Sequence, residues 1–187
     1  MKKLFMVVLF TAVFLSGLSC IYCQEALNKG VFSLAGTIDY SSSSYNGNYS
    51  SENSHIFTFA PQFVYFVGNH VSLGFTLNYI NDFEGSTYSS LSLGPSFRYY
   101  FYVKEFIPFL EVSAALGYPN LASIAGLNAG FTIKGGLDCF LSNSVALEPS
   151  ISYNHSSITP SDNNYPATIA NVFEIGIGIN YFIFKEK

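Results

Sequence analysis

Charge is scarce in this chain: Asp, Glu, Lys and Arg together make up 11% of its 187 residues, and there is no Trp. So little charge is unusual for a soluble domain, whose surface has to be solvated. The formal net charge of −4 leaves no basic patch, so nucleic-acid binding has no electrostatic support. Cysteine is equally sparse. Of the three present, Cys20 and Cys23 fall in the N-terminal leader, which leaves Cys139 alone and excludes a disulfide framework. Cys139 reads as a small hydrophobe on the apolar side of a strand. No metal-ligand spacing joins His55, His70 and His155, and no glycine-rich phosphate loop is present, so neither a metal nor a cofactor is expected. Beyond the leader no apolar run is long enough to cross a membrane as a helix, so insertion has to come from strands.

Residues 1–23 form that leader. Lys2 and Lys3 precede an apolar run from Leu4 to Leu18, about fifteen residues, which is too short for a spanning helix and reads as a secretory signal peptide. Cleavage after Cys23 leaves Gln24 as the new N-terminus. Cleavage after Ser19 is the alternative, and Gly17-Leu18-Ser19-Cys20 loosely resembles a lipoprotein signal with Cys20 acylated, without the usual leading Leu. Residues 24–187 then make one domain.

What the chain does have is alternation. In the stretch from Ser54 to Ile80, Phe57, Phe59, Pro61, Phe63 and Tyr65 share one face of a first arm. Leu73, Phe75, Leu77 and Tyr79 share one face of a second. The opposite faces carry small or polar residues with almost no charge, and Val67-Gly68-Asn69-His70 supplies a hairpin turn. Bulky apolar residues on one side and Ser, Gly, Thr and Asn on the other suit a narrow barrel turned inside out, with lipid outside. The same pattern recurs in strands expected at Val31–Tyr40, Thr87–Phe101, Phe106–Gly117, Gly126–Phe140, Val145–Asn154 and Asn171–Phe184. The connections alternate between long and short, with polar loops at Ser41–Ser54, Asn81–Ser86, Tyr118–Ala125 and His155–Ala170. The fold class expected is therefore all-β, an eight-stranded antiparallel up-and-down transmembrane barrel with both termini at the end that carries the short turns. Tyr40, Tyr79, Tyr88 and Tyr153 would form one aromatic girdle, and Tyr65, Tyr99, Phe101 and Tyr181 the other. A repeated Pro-x-apolar-x-Tyr pattern, at Pro61, Pro95 and Pro149, predicts a bulge or a missing ladder bond in three strands.

The stretches APQFVYFVGNHVSLGFTLNY, LGPSFRYYF and FEIGIGINYFIF resemble the small eight-stranded bacterial outer-membrane β-barrel proteins over essentially the whole mature chain. The resemblance implies an outer-membrane location reached by secretion, outer-membrane lipid as surroundings, and recognition of a terminal aromatic by the barrel assembly machinery. Here Phe184 is followed by Lys185-Glu186-Lys187, a departure from that ending.

Two sets of residues carry candidate chemistry. Arg98, Glu111, Lys134, Asp138, Glu148 and Glu174 all fall on inward faces, and the turns place Glu111 between Arg98 and Lys134. This reads as a buried ion-pair network that fills the lumen, with a narrow gated pore as the alternative. The other set lies near the loop end, where His155 and Ser157 stand two apart and Glu174 begins the next strand. Base, nucleophile and orienting acid are the parts of a serine hydrolase. The arrangement looks like that of the lipid A 3-O-deacylases, which would make His155 the base, Ser157 the nucleophile and Glu174 the orienter. It departs from them in having Ile158 after the Ser. The leading expectation is a monomeric, non-enzymatic barrel with a filled lumen, acting in envelope structure or in contacts with extracellular ligands through its loops.

Overall fold

The computed structural model describes residues 26–46, 51–82, 88–101, 107–121, 126–160 and 168–184. The expected signal peptide, residues 1–23, lies outside them. Eight strands follow one another: β1 (Phe32–Asn46), β2 (Ser51–Gly68), β3 (Val71–Asp82), β4 (Tyr88–Tyr100), β5 (Ile107–Leu121), β6 (Gly126–Phe140), β7 (Val145–Pro160) and β8 (Thr168–Ile183). Each pairs antiparallel with the next, and β8 pairs with β1, which closes the barrel. Closure leaves no free edge, so the backbone polar groups are paired within the wall as a bilayer requires.

The alternation read from the sequence decides which way the wall faces. On β4, Leu91, Leu93, Phe97 and Tyr99 are exposed while Ser90, Ser92, Ser96 and Arg98 are buried. The exterior carries side chains such as Phe63, Phe173 and Ile175 with 67%, 79% and 75% of their surface uncovered. Similar apolar residues cover the outside of every strand, an area far beyond what a water-soluble monomer exposes. The protein is a transmembrane β-barrel. Tyr40 and Tyr79 are exposed toward the loop end and Tyr65, Tyr99, Phe101 and Tyr181 toward the turn end, with Tyr153 half-buried. The side chain of Tyr88 lies outside the described residues.

One expectation needs correction. Most of the polar stretches Ser41–Ser54 and His155–Ala170 are strand rather than loop. Pairing continues from Ser41↔Ile56 to Asn46↔Ser51, and from His155↔Asn171 to Ile158↔Thr168. β5 likewise runs on to Leu121. A spanning strand needs about 9–11 residues, whereas β2 has 18 and β8 has 16. The surplus projects past the bilayer, where a ladder bonds through its backbone and needs no apolar face. The prolines bring the missing ladder bond, one of the two outcomes expected of them, and no bulge. Phe59↔Tyr79 and Gln62↔Thr76 keep one register across Pro61, as Leu93↔Leu116 and Ser96↔Ser113 do across Pro95. The pairing is simply interrupted between them, because proline has no N–H to donate. The register shift between β2 and β3 lies at Phe66/Gly68, beside the turn.

That turn is fastened to its neighbours through His70. His70 takes the left-handed conformation (φ 71°) that closes the two-residue link Asn69-His70. Its N–H donates to Leu27 O at 3.3 Å and its carbonyl accepts from Tyr100 N–H at 2.9 Å. The turn thereby fastens the segment ahead of β1, where Gly30 N–H also donates to Phe66 O at 2.9 Å.

Candidate functional site

From the turn end upward, the lumen changes from apolar to polar. At the turn end the inward positions are Val64 and Phe66 on β2, Tyr100 closing β4, Ile107 and Phe109 on β5, Phe140 closing β6 and Phe182 on β8. They form a dry core, with Phe66 stacked on Tyr100 at 5.5 Å and Phe140 on Phe182 at 5.1 Å between ring centroids. Ala26 and Leu27, 0% and 2% exposed, complete this plug from below. The reading of inward faces as polar missed it. The signal was present in the sequence, since five of these faces carry an aromatic in their last two turn-end positions.

Above the plug lies the ion-pair network. Arg98↔Glu111 and Glu111↔Lys134 are neighbours across the β4–β5 and β5–β6 ladders, so the expected order of these three residues holds. Arg98 Nε donates to Glu111 Oε2 at 2.7 Å, and its Nη1 crosses the bore to Glu148 Oε2 at 2.5 Å. Lys134 turns toward Glu148, at 3.9 Å, and donates to Thr37 Oγ1 at 3.3 Å on the far wall. Gln62 Nε2 donates to Ser96 Oγ at 2.7 Å and to Glu111 Oε2 at 3.1 Å. Arg98, Glu111 and Glu148 are 2%, 4% and 1% exposed. Charges so deeply withdrawn from water persist only when paired and hydrogen-bonded, which this web achieves by bridging strands on opposite sides of the barrel. The guanidinium also lies 4.0 Å over the Phe109 ring and its Nη1 donates to Tyr100 Oη at 3.2 Å, so Arg98 joins the network to the plug. Asp138 lies beside that web, within electrostatic reach of Glu148 and Arg98. Fully buried, it faces Asn180 and Tyr100 without a hydrogen bond of ordinary geometry to either.

Toward the loop end the bore opens into a cavity of about 200 Å³, floored by Glu111 and Lys134. Glu174 belongs here. It accepts from Thr58 Oγ1 at 3.2 Å, from Ser152 Oγ at 3.4 Å and from Asn154 Nδ2, which in turn accepts through Oδ1 from Thr132 Oγ1 at 2.5 Å.

The hydrolase constellation is not assembled. On β7 the even positions Ser150, Ser152 and Asn154 face the lumen, which puts His155 and Ser157 on the outer side. Glu174 pairs with Ser152, well down the ladder, and points inward. The residue that meets the His155 ring is Asn171, with Oδ1 at 2.7 Å from Nδ1. Tyr153 Oη donates to the same oxygen at 2.8 Å, and the ring lies 5.1 Å from Phe131. Wall parity therefore separates the proposed base and nucleophile from the proposed orienter.

No protein-family model and no curated protein matches the chain. Among solved structures, Neisserial surface protein A is 16% identical, with a TM-score of 0.62 over 82% of this chain and 97% of that one. The outer membrane protein OprG from Pseudomonas aeruginosa is 15% identical, with a TM-score of 0.53 over 84% and 98%. The N-terminal β-barrel domain of Pseudomonas aeruginosa OprF is 10% identical, with a TM-score of 0.53 over 83% and 98%. The fold is that of the small eight-stranded outer-membrane barrels.

Proposed function

We propose that the protein is a monomeric barrel of the bacterial outer membrane that does not conduct and does not catalyse, acting in envelope structure and in surface contacts at its loop end. The turn end would face the periplasm, where the secreted chain meets the assembly machinery, and the projecting β1–β2 and β7–β8 hairpins would face outward. The observation that carries this reading is the filled lumen: among the described residues an aromatic plug below and a strand-bridging charge web above it occupy the bore. The likeness to NspA, OprG and OprF supports the location through fold alone. Against the gated-pore alternative, opening would have to break the Arg98 pairs and displace the plug together.

Two measurements test the reading. Heated and unheated detergent samples should migrate differently on a gel, and cell fractionation should recover the protein with the outer membrane. The purified barrel in planar bilayers should give no channel, and neither should Glu111→Ala, because the plug remains. Regular conductance steps from the wild type would overturn the closed-lumen reading.

A further inference from the structure

Within the bilayer the wall is closed, but above it one seam stays open. The β1–β8 ladder runs from Phe32↔Ile183 to Tyr40↔Ile175 and stops after nine pairs, which is about the 9–11 residues that a spanning strand needs. Both strands continue past that point, β1 to Asn46 and β8 back to Thr168. Above Tyr40, β1 pairs with β2 alone, and above Ile175, β8 pairs with β7 alone. Every other ladder between described strands reaches to within two residues of a strand end. The backbone of β8 shows what this edge presents. Phe182 N–H donates to Ser144 O on the β7 side at 2.7 Å, and the β7–β8 register is unbroken from Tyr181 to Thr168. Even-numbered residues of β8 therefore bond to β7, and odd-numbered ones point their N–H and C=O toward β1. Beyond Ile175 that leaves Phe173, Asn171 and Ile169 without a ladder partner across the seam among the described residues.

The side chains on this edge are apolar and outward. The Phe173 ring meets Tyr153 on the β7 side at 5.0 Å and has no cross-strand neighbour on the other, so it is 79% exposed, with Ile169 at 64%. The edge is also firmly backed. β7 pairs with β6 as far as Pro160↔Gly126, so three strands stand side by side there. The facing length of β1 belongs to a two-stranded ribbon, since β2 leaves β3 after Ile56↔Asp82. A row of open N–H and C=O groups flanked by apolar side chains is matched by an extended polypeptide. We propose that the β8 edge from Thr168 to Glu174 binds an extended segment of a partner protein as an added strand, with apolar side chains at alternate positions beside Ile169 and Phe173. The β1 ribbon is a poorer match. Carrying the β1–β8 register onward would set Ser42 opposite Phe173, Ser44 opposite Asn171 and Asn46 opposite Ile169. Cross-strand pairing favours aromatic and β-branched partners for Phe and Ile over small polar ones. A second copy of the barrel would bring its own ribbon into the same notch, whereas a single strand brings only itself. This site is independent of whether the bore conducts.

The test uses the isotope-labelled full barrel refolded in detergent micelles, with amide hydrogen–deuterium exchange read residue by residue by NMR. The probe is a capped peptide of alternating Val and Thr, as long as the Thr168–Glu174 edge. In the free barrel Ile169, Asn171 and Phe173 should exchange at least tenfold faster than Ala170, Val172 and Glu174, whose N–H groups face β7. The peptide should slow the first three at least tenfold, saturably, and leave the other three unchanged. The same peptide with Pro at its centre lacks a ladder donor and should bind at least tenfold more weakly. Asn171→Pro removes a seam-directed N–H and keeps the β7 ladder. It should abolish the slowing at Ile169 and Phe173 while heat-dependent gel mobility shows the barrel intact. If that variant does not fold, Phe173→Ser should weaken peptide binding at least tenfold. The proposal is overturned if the three amides of the free barrel are already as slow as their neighbours, the result of closure by the β1 ribbon or, where slowing grows with protein concentration, of pairing with a second copy. It is equally overturned if the peptide leaves exchange unchanged, if the interrupted peptide protects as well, or if a folded variant keeps full affinity.

Discussion

The two halves of the lumen are built from the same strands by the same alternation, yet they are different materials. Along β8 the inward face runs Glu174, Gly176, Gly178, Asn180, Phe182, and along β2 it runs Thr58, Ala60, Gln62, Val64, Phe66. Small and polar residues at the loop end give way to aromatic ones at the turn end. The turn-end half is therefore held as a soluble core is held, by burial of apolar surface. The loop-end half is held by hydrogen bonds whose net value is small and whose absence is costly. Arg98 sits on the boundary and belongs to both, through its two carboxylates above and the Phe109 ring below.

Removing the boundary should have the largest effect. Arg98→Ala leaves Glu111 and Glu148 buried without their cation, and breaking a buried pair from one side costs about 3–5 kcal/mol. Loss near the upper end is expected, because two pairs and a ring contact go together. Guanidinium unfolding of the barrel refolded in lipid vesicles, followed by gel mobility, measures it. A cost under about 1 kcal/mol would mean that the web does not bind the halves together. Phe66→Ala should come next. Phe66 is fully buried against Tyr100 and Phe182, so the same assay should show a loss of about 3 kcal/mol, as for other large cavities in cores. If the turn-end half were merely a wet vestibule, that substitution would be nearly silent.

Gly176→Ala probes the loop-end half by crowding it. A Cβ at that position would overlap the Asp39 carboxyl, so Asp39 has to move. Overpacking of this kind costs about 1–3 kcal/mol, and the lower end is expected because the displaced group is the tip of a side chain beside a cavity. The same unfolding experiment reads it, and no loss at all would mean that Asp39 is not held against the β8 wall.

Much of this architecture was legible in the sequence. The two-residue period of β2 and β3 gives the wall, its low charge gives the solvent outside, and the turn positions are enough to place Glu111 between Arg98 and Lys134. Strand ends were less legible. Ser41 to Asn46 look like loop by composition, but pairing above the bilayer costs no apolar burial and composition is blind to it. The plug was missed for a different reason: alternation sorts residues between faces and says nothing about gradients along one face. Phe66, Phe109, Phe140 and Phe182 stand in sequence as isolated aromatics, and only closure of the barrel brings them together with Leu27. The hydrolase set failed on parity, since His155 and Ser157 have odd positions on a strand whose even positions face Glu174's side of the wall.

The sharpest comparison of the two halves comes from the smallest change, one serine hydroxyl removed at either end. Ser152 Oγ donates to Glu174 at 3.4 Å in the loop-end half. Ser152→Ala takes one of three donors from a carboxylate that is itself 7% exposed, a loss expected at about 0.5–1 kcal/mol. Ser33 lies beside the plug, pairing with Val64 on one side and Phe182 on the other. It is 1% exposed and its hydroxyl has no partner. Ser33→Ala removes a polar group that is desolvated without compensation, so the barrel should gain about 0.5–1 kcal/mol. One substitution type should thus shift the unfolding midpoint in opposite directions at the two ends. Equal losses at both sites would show that Ser33 is hydrogen-bonded in solution, and that the turn-end half is wetter than its apolar packing implies.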